Sequence, residues 1–384
     1  MACTFNHKKM KSEECKMKIL YVTTIASTMG FFPTHIRMLQ EQGHTVELAC
    51  NLEEPLPEKV AVLGCAAHHI PFSRSPLSSD NLKGYQALNK LVQETHYDIV
   101  HCHTPIAAAL TRLACRKLRK GGTRVFYTAH GFHFYTGAPL KNWLIYYPVE
   151  KLCAHWTDVL LTMNSEDYAR AQKHLKAKRV EYVPGVGIDL SKFSSLQFDR
   201  AAKRAELGMP EDATVLLSVG ELIQRKNHEM IIRALSQVED STIHYVIAGR
   251  GPLLEYLTKL SQGLGLSERV HLLGFRTDVA ELCQSADLYM FPSFQEGLPV
   301  ALMEAMAMGL PVICSDIRGN CDLIEEGKGG LLCKPADAKA FAAAIAALCG
   351  DSQKCEAMGV YNCAAVQDFS QQAVLKKMKE IYGM

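Results

Sequence analysis

The stretch KILYVTTIASTMGFFPTHIRMLQEQGHTVELAC, residues 18–50, contains two short apolar runs separated by a helix-forming segment. The runs at 18–24 and 45–50 are rich in β-branched and aromatic residues and have the length of buried strands. Pro33 suits the first position of a helix, and Gly43 suits the position after its end. A strand, a helix and a strand in this order form the βαβ unit that joins parallel strands. The stretch therefore predicts a parallel sheet covered by helices.

The same alternation continues along the chain in two series. The first series predicts strands at 98–103, 124–128, 158–162 and 179–183, and helices at 106–118, 140–155 and 165–175. The second predicts strands at 214–219, 244–248, 270–273, 287–291 and 311–315, and helices at 228–238, 252–263, 299–308, 338–348 and 369–382. Ser165 is placed to cap its helix, and the glycine-rich segment 184–190 separates the two series. We therefore predict two doubly wound α/β domains.

The two series set the domain boundaries. Residues 1–16 are predicted to form a disordered polar tail, 17–187 an N-terminal domain, 188–366 a C-terminal domain, and 367–384 a helix that crosses back to the N-terminal domain. Ligands of doubly wound sheets bind at the carboxyl ends of the strands. Two such domains facing each other predict a cleft that holds the ligand.

Composition and charge exclude several classes of protein. Hydrophobic residues make up 48% and charged residues 21%, as in a soluble globular chain. The net charge of +2 gives no reason to expect nucleic-acid binding, and no apolar run is long enough to span a bilayer. Residues 1–190 contain 23 Lys and Arg against 16 Asp and Glu, so the first half is basic and the second acidic. Fourteen cysteines without a Cys-x-x-Cys pair predict reduced thiols in a cytoplasmic protein.

Two glycine-containing loops follow predicted strands. Gly30 follows the first strand, and Gly249 and Gly251 follow the strand at 244–248. Glycines at such places let backbone N–H groups approach a phosphate. Neither loop completes G-x-G-x-x-G and the sequence contains no P-loop motif, so a standard dinucleotide or P-loop site has no support. Each loop alone also fits a plain strand-to-helix turn.

Two cations follow the strand at 214–219. Arg225 and Lys226 lie in the segment GELIQRKNH, residues 220–228, just before a predicted helix. Adjacent cations beside a helix N-terminus suit a diphosphate. Asn227 is placed to cap the helix. The alternative is a solvated basic turn.

Two carboxylates lie in the segment FQEGLPVALMEAM, residues 294–306. Glu296 is in a loop, Pro299 is placed as the first helical residue, and Glu304 falls in the second turn among apolar residues. A carboxylate in apolar surroundings is costly unless it has partners, and a vicinal diol offers two hydroxyl donors. We therefore expect Glu304 to bind one sugar ring and Glu296 another. An exposed helix face is the alternative for Glu304.

The segment 294–305 resembles the acidic motif of retaining family 4 glycosyltransferases, in which seven residues separate two glutamates. The resemblance extends over most of the chain from Met17, through the first strand with Gly30 and the segments 98–105, 128–131, 183–193, 246–252 and 270–275. The segments 130–135 and 220–228 are most similar to transferases that build capsule or exopolysaccharide repeat units. The resemblance implies the GT-B fold, with two Rossmann-like domains facing across a cleft. It also implies retention at the anomeric carbon and a nucleotide-diphosphate sugar donor, with uridine the usual base.

The resemblance further implies a role for each matching residue. Arg225 and Lys226 would hold the donor diphosphate, and Glu304 would hold the ribose. The other implied donor contacts are Glu296 with the backbone of Gly297, Leu298, Pro299 and Val300 at the sugar, Gly30 in a phosphate loop, Gly249 and Phe275 near the nucleoside, and His130 beside the sugar. Many family members have Arg where this chain has Glu221, so the role of Glu221 stays open.

Glycosyl transfer builds positive charge on the sugar ring and negative charge on the leaving diphosphate. The sequence has no Asp-x-Asp to hold a divalent ion, so we expect neither a metal nor another cofactor. His130 could contact a donor hydroxyl or the developing charge, and His101, His103 and His133 are its alternatives. His101 and His103 point to one face of a strand, but no third metal ligand has a suitable spacing.

The acceptor is expected on the basic N-terminal half. One group of side chains lies on or after the helix at 106–118 and comprises Arg112, Arg116, Lys117, Arg119 and Lys120. A second group, on the helix at 140–155, comprises Lys141, Trp143, Tyr146, Tyr147 and Lys151. Such surfaces suit anionic lipid on the cytoplasmic face of the plasma membrane, although solvated helices are the alternative. By resemblance the acceptor is a glycan linked to polyprenyl diphosphate.

Two other functions are compatible with this fold. A nucleotide-sugar epimerase would convert the donor without any acceptor. A non-catalytic sugar-nucleotide-binding protein would bind the donor and release no nucleoside diphosphate. A hydride-transfer enzyme is disfavoured because the dinucleotide pattern is missing.

Overall fold

The computed structural model describes residues 16–194 and 198–384. The chain divides into two compact units, Met1–Tyr127 with Trp156–Asp158 and Thr128–His155 with Val159–Met384. Apart from Lys16, the predicted tail of residues 1–16 lies outside the described residues. The domain boundaries drawn from the sequence stay a prediction.

The first sheet contains seven strands, whose bounds are β1 Lys18–Ile25, β2 Thr45–Asn51, β3 Ala66–His69, β4 Ile99–His103, β5 Arg124–Ala129, β6 Val159–Thr162 and β7 Arg179–Tyr182. Their order in the sheet is β3-β2-β1-β4-β5-β6-β7. Strand β1 pairs in parallel with both β2 and β4. The reversal of strand order beside β1 is that of a doubly wound sheet, as predicted.

The second sheet contains six strands, whose bounds are β8 Thr214–Val219, β9 Ile243–Ala248, β10 Val270–Gly274, β11 Leu288–Phe291, β12 Val312–Ser315 and β13 Gly330–Cys333. Their order is β10-β9-β8-β11-β12-β13, and every neighbouring pair is parallel. The carboxyl ends of β8 and β11 therefore lie side by side, and the loops that follow these strands start at the same edge.

The helices connect the strands. Their bounds are α1 Ala26–Met29, α2 Pro33–Glu41, α3 Glu58–Ala61, α4 Asp80–Glu94, α5 Pro105–Cys115, α6 Leu140–Ala154, α7 Ser165–His174, α8 Ser191–Ser194, α9 Arg200–Glu206, α10 His228–Leu235, α11 Leu254–Gly263, α12 Val279–Ser285, α13 Val300–Ala307, α14 Ala338–Cys349, α15 Ser352–Ala365 and α16 Gln371–Tyr382. Short 3₁₀ turns span Leu118–Gly121, Gln224–Lys226 and Val366–Phe369. As predicted, α2 begins at Pro33, and Gly43 follows its end with a left-handed φ of +81°.

The strands of the second sheet bury side chains on both faces. Along β8, Leu216 packs into one apolar cluster, whereas Val215 and Leu217 pack into another. Side chains that alternate in this way need a cover on each side of the sheet. Helices α10 and α14 contribute to the first cluster, and α12 and α13 to the second. The continuous apolar runs of the sequence thus correspond to strands buried between two helical layers.

Several details correct the sequence predictions. Asn164, not Ser165, caps α7, because the Asn164 side chain accepts a hydrogen bond from the backbone N–H of Asp167. Helix α13 begins at Val300, and Pro299 occupies the cap position before it. The elements without a predicted counterpart include β3, α4, β13 and α15.

The segment between β7 and α8 carries two glycines with left-handed φ values, +78° at Gly185 and +81° at Gly187. A side chain at Gly187 would place its Cβ 2.7 Å from the Cα of Gln371, at the start of α16. Lys377 on α16 also lies 3.6 Å from the Glu181 carboxylate on β7. The glycines therefore let this segment turn against the C-terminal helix.

Candidate functional site

Three predicted site residues meet at the carboxyl ends of β8 and β11. The Arg225 guanidinium and the Lys226 ammonium both donate to the same oxygen, Oε1 of Glu296, at 2.9 and 2.8 Å. Arg225 also donates to the carbonyl oxygen of Gln295, and its own carbonyl oxygen accepts from the Phe294 N–H. We call Arg225, Lys226 and Glu296 the charge cluster. It joins two loops that the sequence separates by 70 residues.

The two cations of the charge cluster have different surroundings. The Lys226 side chain is 13% exposed, and its ammonium lies 4.8 Å from the centre of the Phe291 ring. The Arg225 side chain is 41% exposed. Two cations and one carboxylate leave this cluster with a net positive charge, and it lies at the edge of the sheet where ligands bind.

Asn227 fixes the turn that carries the cations. Its backbone is left-handed, with φ +56°, a conformation that Asn tolerates better than most residues. The prediction that its side chain caps α10 is wrong. Asn227 Nδ2 donates instead to the carbonyl oxygens of Pro292 and Pro335, at 3.0 and 2.9 Å. The side chain thus ties the turn after β8 to the ends of β11 and β13.

Three glycines from three loops pack backbone against backbone beside the charge cluster. A Cβ on Gly297 would lie 1.9 Å from the carbonyl oxygen of His130, and one on Gly319 would lie 2.3 Å from the carbonyl oxygen of Gly297. Gly131 lies against Gly297 as well, because its Cβ would be 3.2 Å from the Gly297 Cα. We call Gly131, Gly297 and Gly319 the glycine contact. It brings His130 next to the loop that carries Glu296.

A buried ion pair, absent from the sequence predictions, holds the loop that follows His130. Arg318 donates to the Asp167 carboxylate and to the carbonyl oxygen of Phe132, and its guanidinium lies 4.4 Å from the Tyr135 ring centre. Asp167 in turn accepts from the Phe132 N–H. The Tyr135 hydroxyl donates to Gln295 Oε1 at 3.3 Å. The only signal in the sequence is that Arg318 lies three positions after the end of the predicted strand at 311–315.

His130 is neutral near pH 7. Burial lowers the pKa of its imidazole to about 4. Neutral imidazole carries one N–H donor and one acceptor nitrogen, so it suits contact with a hydroxyl. His133, one of its predicted alternatives, stacks on Tyr146 with ring centres 4.4 Å apart.

Glu304 lies on the second turn of α13 and is partly buried. Burial raises the pKa of its carboxyl group, an effect that nearby Lys192 partly offsets. An exposed helix face, the alternative considered for Glu304, is therefore wrong. Ahead of α13, the loop Gly297–Leu298–Pro299 lies against the turn at Gly185, whose Cβ would be 3.0 Å from a Leu298 methyl group.

Close backbone packing explains why glycine is needed at positions 249 and 251, after β9. A Cβ on Gly249 would lie 1.8 Å from the Gly220 carbonyl oxygen, and one on Gly251 would lie 2.5 Å from the Leu222 carbonyl oxygen. Beside this loop, the Phe275 ring is 66% exposed and lies 5.1 Å from the Arg250 guanidinium. An exposed aromatic ring with a cation over its face can stack on a flat ring of a ligand.

The remaining predicted residues lie in the first unit. Gly30 ends α1, and its N–H donates to the Ser27 carbonyl oxygen at 3.1 Å. His101 and His103 are buried in an aromatic cluster with Tyr21 and Phe32. Among residues 16–194 and 198–384, no three His, Cys, Asp or Glu side chains lie close enough together to bind a metal ion.

The predicted basic surface on α5 is partly wrong. Arg112 is buried, donates to the Ala108 carbonyl oxygen and lies 4.1 Å from the centre of the Tyr127 ring. Arg119 forms a two-bond ion pair with Asp158. Both guanidinium groups are thus engaged within the first unit rather than offered to a ligand. In the part of the chain that is described, no helix is both long and apolar enough to cross a bilayer.

Comparisons with known proteins agree with this architecture. Residues 34–192 match the model of Glycosyltransferase Family 4, and residues 199–363 match that of Glycosyl transferases group 1. A Bacillus subtilis (strain 168) protein named EpsD is 36% identical over 374 residues, which cover 95% of this chain and 96% of that protein. The Escherichia coli UDP-Gal:alpha-D-GlcNAc-diphosphoundecaprenol alpha-1,3-galactosyltransferase is 29% identical over 89% of this chain and 90% of its own length.

The fold also matches solved structures. The crystal structure of Anabaena HepE in complex with UDP and glucose superposes with a TM-score of 0.77. The match covers 96% of this chain and 99% of HepE at 20% sequence identity. With two parallel-sheet Rossmann-like domains, two family models and a relative that is 36% identical along its length, the chain belongs to the family 4 glycosyltransferases of the GT-B fold.

Proposed function

We propose that this protein transfers a sugar from a UDP-sugar to a glycan carried on polyprenyl diphosphate, with retention at the anomeric carbon, in capsule or exopolysaccharide biosynthesis. The charge cluster carries the proposal. Arg225 and Lys226 supply positive charge at the edge of a doubly wound sheet, where a diphosphate would bind. The E. coli relative, whose name specifies UDP-Gal and a diphosphoundecaprenol acceptor, supports the donor and acceptor classes.

The geometry of Glu296 suits a donor sugar. Both cations bond to Oε1, so Oε2 is left by this arrangement to accept from sugar hydroxyls. When the diphosphate leaves, its growing negative charge can be met by the cations of Lys226 and Arg225. His130, held beside Gly297 by the glycine contact, would contact the donor sugar.

The nucleoside would lie on the β9 and β10 side of the charge cluster. Phe275 offers an exposed ring for the base. The carboxyl group of Glu304, with its raised pKa, would be stabilised as a carboxylate by two hydroxyl donors of the ribose. We also propose that Gly249 lies near the nucleoside and Gly30 near the phosphates, as the family resemblance implies.

The acceptor would use the first unit. A pocket of about 270 Å³ lies at the carboxyl ends of β1 and β2, and its lining includes Asn51, Glu53, Glu54 and Arg74. Carboxylate and amide groups of this kind accept hydrogen bonds from sugar hydroxyls. A polyprenyl-linked acceptor resides in a bilayer, so we place the enzyme on the cytoplasmic face of the plasma membrane.

The donor assignment is tested by measuring how much each of several nucleotide sugars raises the unfolding temperature of the protein. A UDP-sugar at about 100 times its Kd should stabilise the protein by roughly 2.7 kcal/mol, whereas GDP- and ADP-sugars should have little effect. The stabilising donor is then incubated with a synthetic polyprenyl-diphosphate-linked sugar, and UDP release and the anomeric configuration of the product are measured. An isomerised donor formed without acceptor would instead indicate an epimerase. Donor binding without UDP release from any acceptor would indicate a non-catalytic protein.

We also propose that turnover needs no divalent metal ion. The cations of the charge cluster can meet the charge on the leaving group, the task a metal ion performs in other enzymes. EDTA should therefore leave the rate of UDP release unchanged. Loss of activity in EDTA, restored only by Mg²⁺ or Mn²⁺, would contradict the proposal.

A further inference from the structure

Two charged side chains hold the backbone of Phe132, two positions after His130. The Asp167 carboxylate on α7 accepts from the Phe132 N–H at 2.9 Å, and the Arg318 guanidinium donates to the Phe132 carbonyl oxygen. The same guanidinium donates to Asp167, so Phe132 and the two side chains form a closed ring of hydrogen bonds. We call Arg318 and Asp167 the anchor pair. Both backbone polar groups of Phe132 are therefore bound by side chains.

The burial of the anchor pair indicates that its role is to set geometry. The Arg318 side chain is 3% exposed and that of Asp167 is 0% exposed. Removing two charges from water costs about as much as their attraction contributes, and apolar side chains of similar volume often stabilise a core as well or better. Apolar side chains, however, would leave the two polar groups of Phe132 without partners. The particular contribution of the anchor pair is thus to hold this backbone in one orientation.

Arg318 also lies where the two loops of the glycine contact meet. Its guanidinium is 4.4 Å from the centre of the Tyr135 ring, and the Tyr135 hydroxyl donates to Gln295 Oε1 at 3.3 Å. A Cβ on Gly131 would lie 3.4 Å from Nη2 of Arg318 and 3.2 Å from the Gly297 Cα. A change at Arg318 would therefore be felt at the junction of the two loops.

The chain around His130 belongs to the unit that carries the charge cluster. Thr128–His155 falls in that unit, although most of the strand that leads into it falls in the other. The start of α7 is tied to the loop after β12 by a further residue, because Asp322 accepts from the N–H groups of Ser165 and Gly319 at 2.7 and 3.0 Å. The support of the anchor pair is therefore itself fixed.

We infer that Arg318 and Asp167 are positioning residues for the transfer step, which hold His130 in place against the donor sugar. The inference rests on the proposed function, because the pair acts through the contact of His130 with the donor. We call residues 128–136 the His130 segment. The effect of the anchor pair falls on kcat rather than on donor affinity, because rates depend on ångström-scale placement of the reacting groups.

Arg318→Lys tests the anchor pair without leaving Asp167 unpaired. Lysine keeps the positive charge, but its ammonium lacks the planar fork that reaches Asp167 and Phe132 together. We expect kcat for UDP release to fall by about 10²-fold, with KM for the donor little changed. Hydrogen–deuterium exchange of the His130 segment should become faster, because its backbone is held less firmly.

Arg204→Lys is the matched control. The Arg204 side chain is 14% exposed in the same unit, and its guanidinium also donates to a carboxylate and to backbone carbonyl oxygens, those of Asp287, Ser285 and Ala213. Its replacement should lower the unfolding temperature, because the same fork is lost. Both kcat and the exchange of the His130 segment should stay unchanged.

A double-mutant cycle with His130→Ala shows whether Arg318 acts through His130. In the His130→Ala background, Arg318→Lys should cause little further loss of kcat, because the group that it positions is gone. A merely structural role predicts that the two losses multiply. Losses that multiply, or a His130→Ala protein with the kcat of the wild type, would overturn the inference.

Hydrogen–deuterium exchange separates this inference from the proposed function, because it needs no donor. Unchanged exchange of the His130 segment in Arg318→Lys would overturn the inference and leave the donor assignment intact. Faster exchange with the kcat of the wild type would overturn it as well. Faster exchange in a protein whose wild type releases no UDP from any nucleotide sugar would refute the proposed function, and with it the role in transfer, while the anchoring of the segment would stand.

Discussion

Replacing Lys226 with methionine should lower kcat/KM for the donor by about 10²- to 10³-fold, the usual cost of removing one group that stabilises developing negative charge. Methionine keeps an apolar stem beside Gly220 and removes the ammonium that lies over the Phe291 ring, so the fold should be preserved. Glu296 keeps its bond to Arg225 in this variant. The loss therefore measures the missing ammonium rather than a collapsed loop.

The loss should fall mainly on kcat. The leaving diphosphate carries more charge in the transition state than the bound donor does, so a nearby cation stabilises the transition state more. Steady-state kinetics of UDP release with varied donor measure both constants. An increase in KM with kcat unchanged would show that Lys226 only binds the ground state.

Lys259→Met provides the control for the charge change. Lys259 is exposed on α11 and pairs with Glu255 one helical turn away, at 2.6 Å. Exposed pairs of this kind are worth about 0–1 kcal/mol, so neither stability nor turnover should change appreciably. The loss of kcat/KM in Arg225→Gln should be smaller than in Lys226→Met and larger than in Lys259→Met. The reason is that the Arg225 side chain is about three times as exposed as that of Lys226.

The sequence predicts the architecture because parallel strands buried on both faces leave continuous apolar runs. It misses β3 because that strand, Ala66–His69, is largely exposed and has no such run. It misses α15 because the apolar residues of Ser352–Ala365 do not gather on one side of the helix. Local periodicity therefore detects elements only to the extent that the core covers them.

The site is predictable residue by residue but not as a set of contacts. Arg225, Lys226 and Glu296 stand out through charge and position after strands, yet their meeting at one carboxylate oxygen depends on β8 and β11 being neighbours. Arg318 and Asp167 lie 151 positions apart, and nothing local to either residue signals the pair. Contacts between residues far apart in the chain depend on which strands and loops become neighbours in the fold, and a single sequence does not show this.

Gly297→Ala should abolish most activity and destabilise the protein by about 1–3 kcal/mol, the usual cost of overpacking a tight site. The new methyl group would lie 1.9 Å from the His130 carbonyl oxygen. That oxygen belongs to the backbone and cannot rotate away as a side-chain tip could, so one of the two loops must move. Movement of either loop separates His130 from Glu296, and we expect kcat to fall by about 10²-fold or more because catalysis depends on ångström-scale placement.

Gly263→Ala is the matched control for Gly297→Ala. Gly263 is the last residue of α11, and a Cβ there meets nothing within 4 Å. Alanine is favoured over glycine in helices by up to about 1 kcal/mol, so this variant should be as stable as the wild type or slightly more stable, with unchanged turnover. Thermal unfolding and UDP release are measured on both variants. A Gly297→Ala protein that matches the wild type in both would show that the loops need not touch for catalysis.

Gly297 is a cleaner test than the other two members of the glycine contact. Gly131 and Gly319 have left-handed φ values of +135° and +80°, so alanine at either position would add backbone strain to any steric clash. Gly297 has no left-handed φ, and its replacement isolates the close approach to His130. The thermal shift induced by the donor then shows whether the lost activity comes from weaker donor binding or from a slower reaction of the bound donor. A Gly297→Ala protein that still binds the UDP-sugar but fails to release UDP would place the loss in the positioning of His130 against the donor sugar rather than in donor affinity.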